Sequence, residues 1–168
     1  MTPMMQRRPF KPTKESTIAY IGLGANLGER EATIAAALRR IDEDDRTSLL
    51  RATAPIETEP VGYENQPLFL NAAARVQTTR SSRELLELLL EIERDLGRVR
   101  GDGPRFGPRT IDLDLLVYGA DAVDEDGLEV PHPRLHERRF VLEPLAELDP
   151  DLVVPGRGKV SALLAELE

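Results

Sequence analysis

The chain has 168 residues, and 30 acidic against 22 basic residues give it a formal net charge of −8. Because it contains no cysteine, disulfide scaffolds, thiolate metal sites and thiol nucleophiles are excluded. The acidic balance argues against a general nucleic-acid binder, and no apolar run approaches the roughly 18 residues of a membrane span. A chain of this length suits one globular domain.

The predicted elements begin after a polar, basic leader. Residues 1–16 lack an apolar central segment, so we expect them to be disordered, followed by one domain over 17–168. Strands are predicted at Thr17–Leu23, within Leu49–Glu59, at Phe69–Thr78, over 110–119 and at Leu128–Val130. Helices are predicted at Glu29–Ile41, at Arg83–Leu96 with a cap at Ser81 or Ser82, after the VPHPRL loop with an end marked by Pro144 and Pro150, and at Val160–Leu167. This order predicts an α+β fold with a ferredoxin-like core, an antiparallel sheet flanked by helices in an αβα sandwich.

Two aspartates alternate with apolar residues in the segment Arg109–Tyr118. Side chains of a strand alternate between its faces, so Asp112 and Asp114 project together, with Cα atoms about 6–7 Å apart. Carboxylates at this spacing can share divalent cations, which lie roughly 3.5–4 Å apart in two-metal enzymes. The alternative is a solvent-facing strand, because an isolated Asp-x-Asp motif is common.

An arginine- and glycine-rich loop precedes this strand. Its arginines, with one from the preceding helix, are Arg94, Arg98, Arg100, Arg105 and Arg109. Guanidinium groups bind phosphate oxygens in a two-pronged manner, and glycines allow a loop to close around a ligand. Oxygen ligands beside such a loop indicate magnesium and a nucleoside triphosphate. The alternative is that these arginines pair with neighbouring carboxylates.

The segment GLGANLG follows the first strand and opens the first helix. Its glycines fall as G-x-G-x-x-x-G, which differs from the dinucleotide fingerprint, and no acidic residue ends a second parallel strand. We therefore interpret 22–28 as a tight junction between strand and helix. A nicotinamide-dependent oxidoreductase that uses this segment stays open as an alternative, as does a non-catalytic ferredoxin-like binding module.

Two further segments offer binding side chains. Phe69 and Asn71 share one face of a strand, so a flat heterocycle could stack on the ring and pair with the amide. A core phenylalanine beside a capping asparagine is the alternative. His132 lies between two prolines in VPHPRL and is followed by Arg138 and Phe140. A purely structural histidine is the alternative there.

These motifs together resemble one family. FGPRTIDLDLL, with GRVR, VPHPRL and ETEPVGYENQPLFLNAA, is similar to the 6-hydroxymethyl-7,8-dihydropterin pyrophosphokinases of folate biosynthesis, over about Thr17 to Gly156. The resemblance implies a magnesium-dependent transferase that moves the diphosphate of ATP to the pterin hydroxymethyl group and releases AMP. It also implies small-molecule partners, without nucleic acid or membrane, and we expect a monomer in the cytoplasm.

The same resemblance implies the site residues by position. Asp112 and Asp114 resemble the ligands of two magnesium ions, and Arg98 and Arg109 join them as catalytic residues. The ATP-binding set implied in this way is Glu93, Arg98, Arg100, Arg105, Arg109, His132 and Arg138. The pterin-binding set is Thr58, Val61, Phe69, Asn71 and Phe140, in which the two phenylalanine rings sandwich the heterocycle.

Overall fold

The computed structural model describes residues 16–26, 29–58, 68–97 and 111–167. Its strands are β1 (Thr17–Ala25), β2 (Thr47–Ala52), β3 (Ile56–Thr58), β4 (Phe69–Thr78), β5 (Asp112–Tyr118), β6 (Val123–Glu125), β7 (Leu128–Val130), β8 (Val153–Val154) and β9 (Gly158–Lys159). Its helices are α1 (Arg30–Glu43), α2 (Ser82–Asp95), α3 (Arg139–Leu148) and α4 (Val160–Glu166), and Leu135–Glu137 forms a 3₁₀ turn. Most of the expected leader, residues 1–15, lies outside the described residues.

Five of the described strands form one antiparallel sheet. The order is β2-β4-β1-β5, and β3 pairs with β4 beyond the end of β2. β1 is in register with β4 from Thr17 opposite Thr78 to Ala25 opposite Leu70. β6 with β7 and β8 with β9 form separate two-stranded ribbons. The predicted combination of helices with an antiparallel sheet is confirmed.

Hydrophobic side chains bury both faces of the sheet. On one face, α1 and α2 pack through residues such as Ile34 and Leu89 against Ile21 of β1. On the other face, α3 and α4 form a second cluster in which Leu142 and Tyr20 are buried. Because alternate residues of β1 enter different clusters, this strand positions helices on both sides. Within the described ranges, no helix is long and apolar enough to cross a membrane.

The α2 helix begins at one of the two predicted caps. Ser81 Oγ accepts a hydrogen bond from the Glu84 N–H at 3.1 Å, and the Glu84 carboxylate accepts one from the Ser81 N–H at 2.9 Å. This reciprocal capping box satisfies two backbone donors that lack partners within the helix. At the other end Gly97 has a φ of 100°, which a residue with a Cβ rarely adopts, so the predicted stop is confirmed.

Two strands differ from their predicted limits. β1 continues to Ala25, so Gly24 lies inside the strand like Gly22, and the junction with α1 begins later than predicted. The strand predicted within Leu49–Glu59 is two strands, β2 and β3, separated by 53–55. Pro55 has no N–H to donate to a sheet, and Thr53 keeps the chain attached instead. Its N–H donates to the Ala73 carbonyl at 2.9 Å, and its Oγ1 accepts from the Ala73 N–H at 3.0 Å.

Pro144 lies inside α3 rather than at its end, which corrects the prediction. An internal proline removes one helical hydrogen bond and costs about 3 kcal/mol. Leu142 and Leu145 of α3 are fully buried and Leu148 nearly so. Burial of each contributes about 1.5–3 kcal/mol, so together these leucines outweigh the cost of the proline. Pro150 lies two residues after the last helical residue, Leu148, as expected for a residue that marks the helix end.

A bidentate ion pair connects the end of α1 to the end of β4. Arg80 Nη2 and Nε donate to the two carboxylate oxygens of Asp44 at 2.7 and 2.9 Å. Burial alone would raise the pKa of Asp44, but the hydrogen bonds from Arg80 and its neighbours outweigh burial and lower it. A lowered pKa stabilises the folded state above the unfolded pKa of roughly 4, and that contribution is lost as the pH falls through the folded value.

We therefore expect Asp44→Asn to lower the free energy of unfolding by about 1 kcal/mol at pH 7. The difference from wild type should shrink as the pH falls from about 4 through the lowered folded pKa, because Asp44 is protonated in both states only below that value. Urea unfolding at pH 7 and pH 3 measures this. Asp151→Asn is the control, since Asp151 lies 3.9 Å from Lys159 in an exposed pair. An equal loss for Asp44→Asn at both pH values would contradict the prediction.

Candidate functional site

One row of residues across three strands carries two predicted site side chains. Gly24 of β1 lies opposite Asn71 of β4 and also opposite Asp112 of β5. Neighbouring strands are about 4.8 Å apart, so roughly 10 Å separates the strand that carries the amide from the strand that carries the carboxylate. The row lies on the face covered by α3 and α4, because Tyr20, an even number of residues before Gly24, belongs to that cluster.

Asp112 and Asp114 project from this face, as the alternation of β5 predicted. Both are half-buried, whereas Leu113 between them is buried in the cluster on the other side. Among the described residues, no group of three or more His, Cys, Asp or Glu side chains could hold a metal ion. Magnesium is commonly bound through one or two carboxylates, with phosphate oxygens and waters completing its shell. The aspartate pair therefore fits magnesium that arrives with a polyphosphate.

His132 is attached to the outer edge of β5. Its N–H donates to the Leu116 carbonyl at 2.8 Å. Burial of the ring lowers the pKa of His132, and the positive charges of Arg138 and Arg134 lower it further, whereas Asp112 opposes them. These interactions place His132 near Asp112 and near the guanidinium groups of Arg134 and Arg138. The lowered pKa favours a neutral ring at physiological pH.

The hydrogen bonding of His132 also selects its tautomer. The Arg134 N–H donates to His132 Nδ1 at 3.3 Å, so Nδ1 is the acceptor of the neutral ring. The proton of a neutral imidazole then lies on Nε2. His132 can therefore donate a hydrogen bond from Nε2 without carrying a full positive charge.

Arg138 and Phe140 lie where α3 begins. The Arg138 guanidinium carbon is 5.7 Å from the centre of the Phe140 ring, within the range of a cation–π contact. α3 packs on β4, and Leu142 in its first turns shares a cluster with Ala73, which lies two residues from Asn71. Phe140 is half-buried in this position, so part of its ring is accessible.

Thr58, Phe69 and Asn71 form a patch where β3 pairs with β4. Thr58 lies opposite Phe69, and Asn71 Nδ2 donates a hydrogen bond to Thr58 Oγ1. All three are half-buried. This bond fixes the Asn71 amide so that its Oδ1 points toward Gly24, where an added Cβ would lie 3.0 Å away. The patch thus combines an accessible ring with an oriented amide.

Arg30 holds this patch in place and was missed from the sequence. Its Nη1 donates to the Leu68 carbonyl at 2.7 Å, and its Nη2 to Glu57 Oε2 at 3.0 Å. Leu68 and Glu57 immediately precede Phe69 and Thr58. One signal could have identified Arg30: it lies in the first turn of α1, where the helix dipole disfavours a positive charge.

Glu93 lies on the other side of the sheet and is 3% exposed. Its Oε2 accepts a hydrogen bond from the Leu113 N–H at 2.7 Å. Leu113 lies between the two aspartates of β5, so this carboxylate holds the backbone from which both project.

The remaining predicted residues lie outside the described ranges, and so does the end of the GLGANLG segment. The predicted site residues outside the described ranges are Val61, Arg98, Arg100, Arg105 and Arg109. The structure brings together the other members of the predicted sets around the start of β4 and β5, apart from Glu93.

Comparisons with known proteins identify the family of this chain. The family model described as 7,8-dihydro-6-hydroxymethylpterin-pyrophosphokinase (HPPK) matches residues 20–150. The 2-amino-4-hydroxy-6-hydroxymethyldihydropteridine pyrophosphokinase of Bacillus subtilis is 44% identical over 133 residues, which cover 79% of this chain and 78% of that protein. A protein of the same name from Methylorubrum extorquens is 42% identical over 152 residues, which cover 90% and 94% of the two chains.

Solved structures share the fold at low sequence identity. Wild-type HPPK-DHPS of Plasmodium falciparum with pteroate has a TM-score of 0.69 and 13% identity, over 94% of this chain and 43% of that chain. An HPPK-DHPS in complex with substrates has a TM-score of 0.68 and 13% identity, over 89% and 43%. This chain thus spans less than half the length of these solved chains, and the likeness shows a common fold.

Proposed function

This chain belongs to the 7,8-dihydro-6-hydroxymethylpterin-pyrophosphokinase family, and we propose that the sheet face with Asn71, Gly24 and Asp112 is its catalytic site. It is a transferase that moves the pyrophosphoryl group of ATP to 6-hydroxymethyl-7,8-dihydropterin in folate biosynthesis. The pterin hydroxyl oxygen bonds to the β-phosphorus as the bond from that phosphorus to the α-phosphate oxygen breaks, so AMP leaves. The hydroxyl proton is released.

The row of Asn71, Gly24 and Asp112 carries the proposal, because it places an amide and a carboxylate on one face of the sheet, on strands about 10 Å apart. A substrate whose heterocycle is bound at one end and whose hydroxymethyl group must meet a polyphosphate at the other fits this spacing. Phe69 and Phe140 sandwich the pterin, and Asn71, Thr58 and Val61 bind its edge.

The polyphosphate lies at the carboxylate end of the row. Asp112 and Asp114 would hold two magnesium ions there, with phosphate oxygens and waters completing their shells. Bound magnesium neutralises phosphate charge and makes the pterin hydroxyl more acidic, so positioning supplies much of the remaining catalysis. His132 donates from Nε2 to a phosphate oxygen, and the Arg138 guanidinium balances the charge that develops on departing AMP. The same proposal assigns ATP contacts to Arg98, Arg100, Arg105 and Arg109. It gives Glu93 an indirect role at the ATP end, through the Leu113 N–H of β5.

The fold supports a ferredoxin-like assignment. The order β2-β4-β1-β5, with α1 after β1 and α2 after β4, is the β-α-β-β-α-β arrangement when the short β3 is set aside. An oxidoreductase that binds a dinucleotide at GLGANLG is less well supported. Dinucleotide fingerprints join parallel strands of a βαβ unit, whereas β1 is antiparallel to both of its neighbours.

Incubation of the full chain with ATP, magnesium and 6-hydroxymethyl-7,8-dihydropterin is expected to produce AMP and the pterin diphosphate in equal amounts. Omission of the pterin should stop AMP formation, because its hydroxyl is the nucleophile. Chromatography of the nucleotides measures both. ADP in place of AMP would indicate attack on the γ-phosphorus and would contradict the proposed reaction. Oxidation of NADPH by the chain, with no AMP formed, would favour the oxidoreductase.

A further inference from the structure

Gly22 and Gly24 occupy the interior of β1 without a conformational reason. Neither has a positive φ, so a residue with a Cβ could adopt the same backbone. Glycine in a strand interior is destabilising relative to alanine, because it loses more backbone entropy and packs no side chain. The reason for glycine at these two positions must therefore lie in the side chains that surround them.

The neighbours of the two glycines differ. A Cβ added at Gly24 would lie 3.0 Å from Asn71 Oδ1 and 3.9 Å from Phe69 Cδ1. The Asn71 amide could move away only by straining its hydrogen bond to Thr58. A Cβ added at Gly22 would lie 3.3 Å from Leu116 Cδ1, which is the end of a flexible side chain. Only the first substitution displaces a polar group of the candidate site.

We infer that Gly24 is a positioning residue for the pterin, which acts through the Asn71 amide. This inference rests on the proposed role of Asn71 in pterin binding. Because Gly24 has no side chain, the Asn71 amide can lie close over the backbone of β1, with its Oδ1 toward Gly24. A methyl group at Gly24 displaces the Asn71 amide by a few tenths of an ångström. The hydrogen bonds from the amide to the edge of the pterin are then misaligned. The ATP end of the row, at Asp112, lies on the far side of Gly24 and is less affected.

The test compares two alanine variants of the same strand. Gly24→Ala is expected to raise the KM for 6-hydroxymethyl-7,8-dihydropterin about tenfold or more, while the KM for ATP changes less than twofold. Gly22→Ala is the matched control and should leave both KM values within about twofold. Both variants should stay folded, because alanine favours a strand and this gain offsets part of the crowding, and thermal unfolding checks it. A parallel Kd for 6-hydroxymethylpterin from its fluorescence separates binding from turnover.

A double-mutant cycle with Asn71→Ala shows whether Gly24 acts through the amide. The double variant should match Asn71→Ala alone within about twofold in pterin KM, because no amide remains to be displaced. Additive effects of the two substitutions, or an unchanged pterin KM in Gly24→Ala, would overturn the inference. An unchanged pterin KM in Asn71→Ala itself would instead reject the proposed pterin site, so the two failures are distinguishable.

Discussion

Replacement of Asp112 or Asp114 by asparagine is expected to lower the rate of AMP formation roughly a thousandfold while the protein stays folded. Each variant removes one of the two carboxylates that we propose bind magnesium, and so should weaken charge neutralisation on the polyphosphate. A loss of about 4 kcal/mol in transition-state stabilisation corresponds to this factor. The amide keeps the shape of the side chain, and like charges on one strand face repel each other, so unfolding should change little. Single-turnover AMP formation and thermal unfolding measure the two effects.

Asp45→Asn is the matched control for charge. Asp45 is exposed and precedes β2, whose first residue pairs with Thr78 at the end of β4 remote from Asn71. Its activity should equal that of the wild type. A magnesium titration adds a second measurement, because a weakened site should need more magnesium to reach half of its own maximal rate. Full activity in either site variant, or an unchanged magnesium requirement in both, would contradict the assignment of two carboxylate ligands.

The aspartate pair could be predicted because its information is local. Asp112 and Asp114 are separated by one residue, and the alternation of β5 places them on one face whatever the rest of the chain does. The same holds for Phe69 and Asn71 on β4, and for the cap at Ser81, which depends on a residue only three positions away. Periodicity and short-range hydrogen bonding are therefore enough to predict most strands of the sheet and the four site residues that lie on β4 and β5.

The importance of Gly24 could not be predicted, because it depends on partners distant in sequence. Asn71 and Asp112 flank Gly24 only once β1 lies between β4 and β5. From the sequence alone, a glycine after a strand indicates a turn, and that reading ended β1 too early. The prediction that Pro144 ends the helix was wrong for a related reason. Proline does weaken a helix locally, but burial of the surrounding leucines allows α3 to continue through it.

Glu93 shows the same limit on the opposite face of the sheet. The resemblance implied that Glu93 belongs to the ATP-binding set, and the folded chain offers an indirect route to that role, because the Glu93 carboxylate accepts a hydrogen bond from the Leu113 N–H. β5 is the last strand of its sheet, and its outer edge is attached at two points in the described residues. One is the bond from Leu113 to Glu93, and the other joins Leu116 to His132. Both attachments hold the strand that carries the aspartates.

We therefore expect Glu93→Leu to lower the free energy of unfolding by about 2 kcal/mol, because the buried Leu113 N–H loses its acceptor. The kcat/KM should fall about a hundredfold, since displacement of reacting groups by about 1 Å has effects of that size. Glu93→Gln retains an amide oxygen as acceptor and should keep activity within about tenfold of wild type. Urea unfolding and steady-state kinetics with ATP varied measure these changes, and exposed Glu91, replaced in the same two ways, is the control.

The comparison between leucine and glutamine separates two roles of one carboxylate. If Glu93 acts through the backbone of β5, what matters is an acceptor oxygen, so glutamine restores activity and the change appears mainly in kcat. If its charge acts on ATP, glutamine should fail as badly as leucine, and the loss should appear mainly in the KM for ATP. An amide NMR signal for Leu113 that shifts in the leucine variant but stays near its wild-type position with glutamine would support the first role. Equal failure of both variants, with Leu113 undisturbed by glutamine, would contradict it and favour direct contact with the nucleotide.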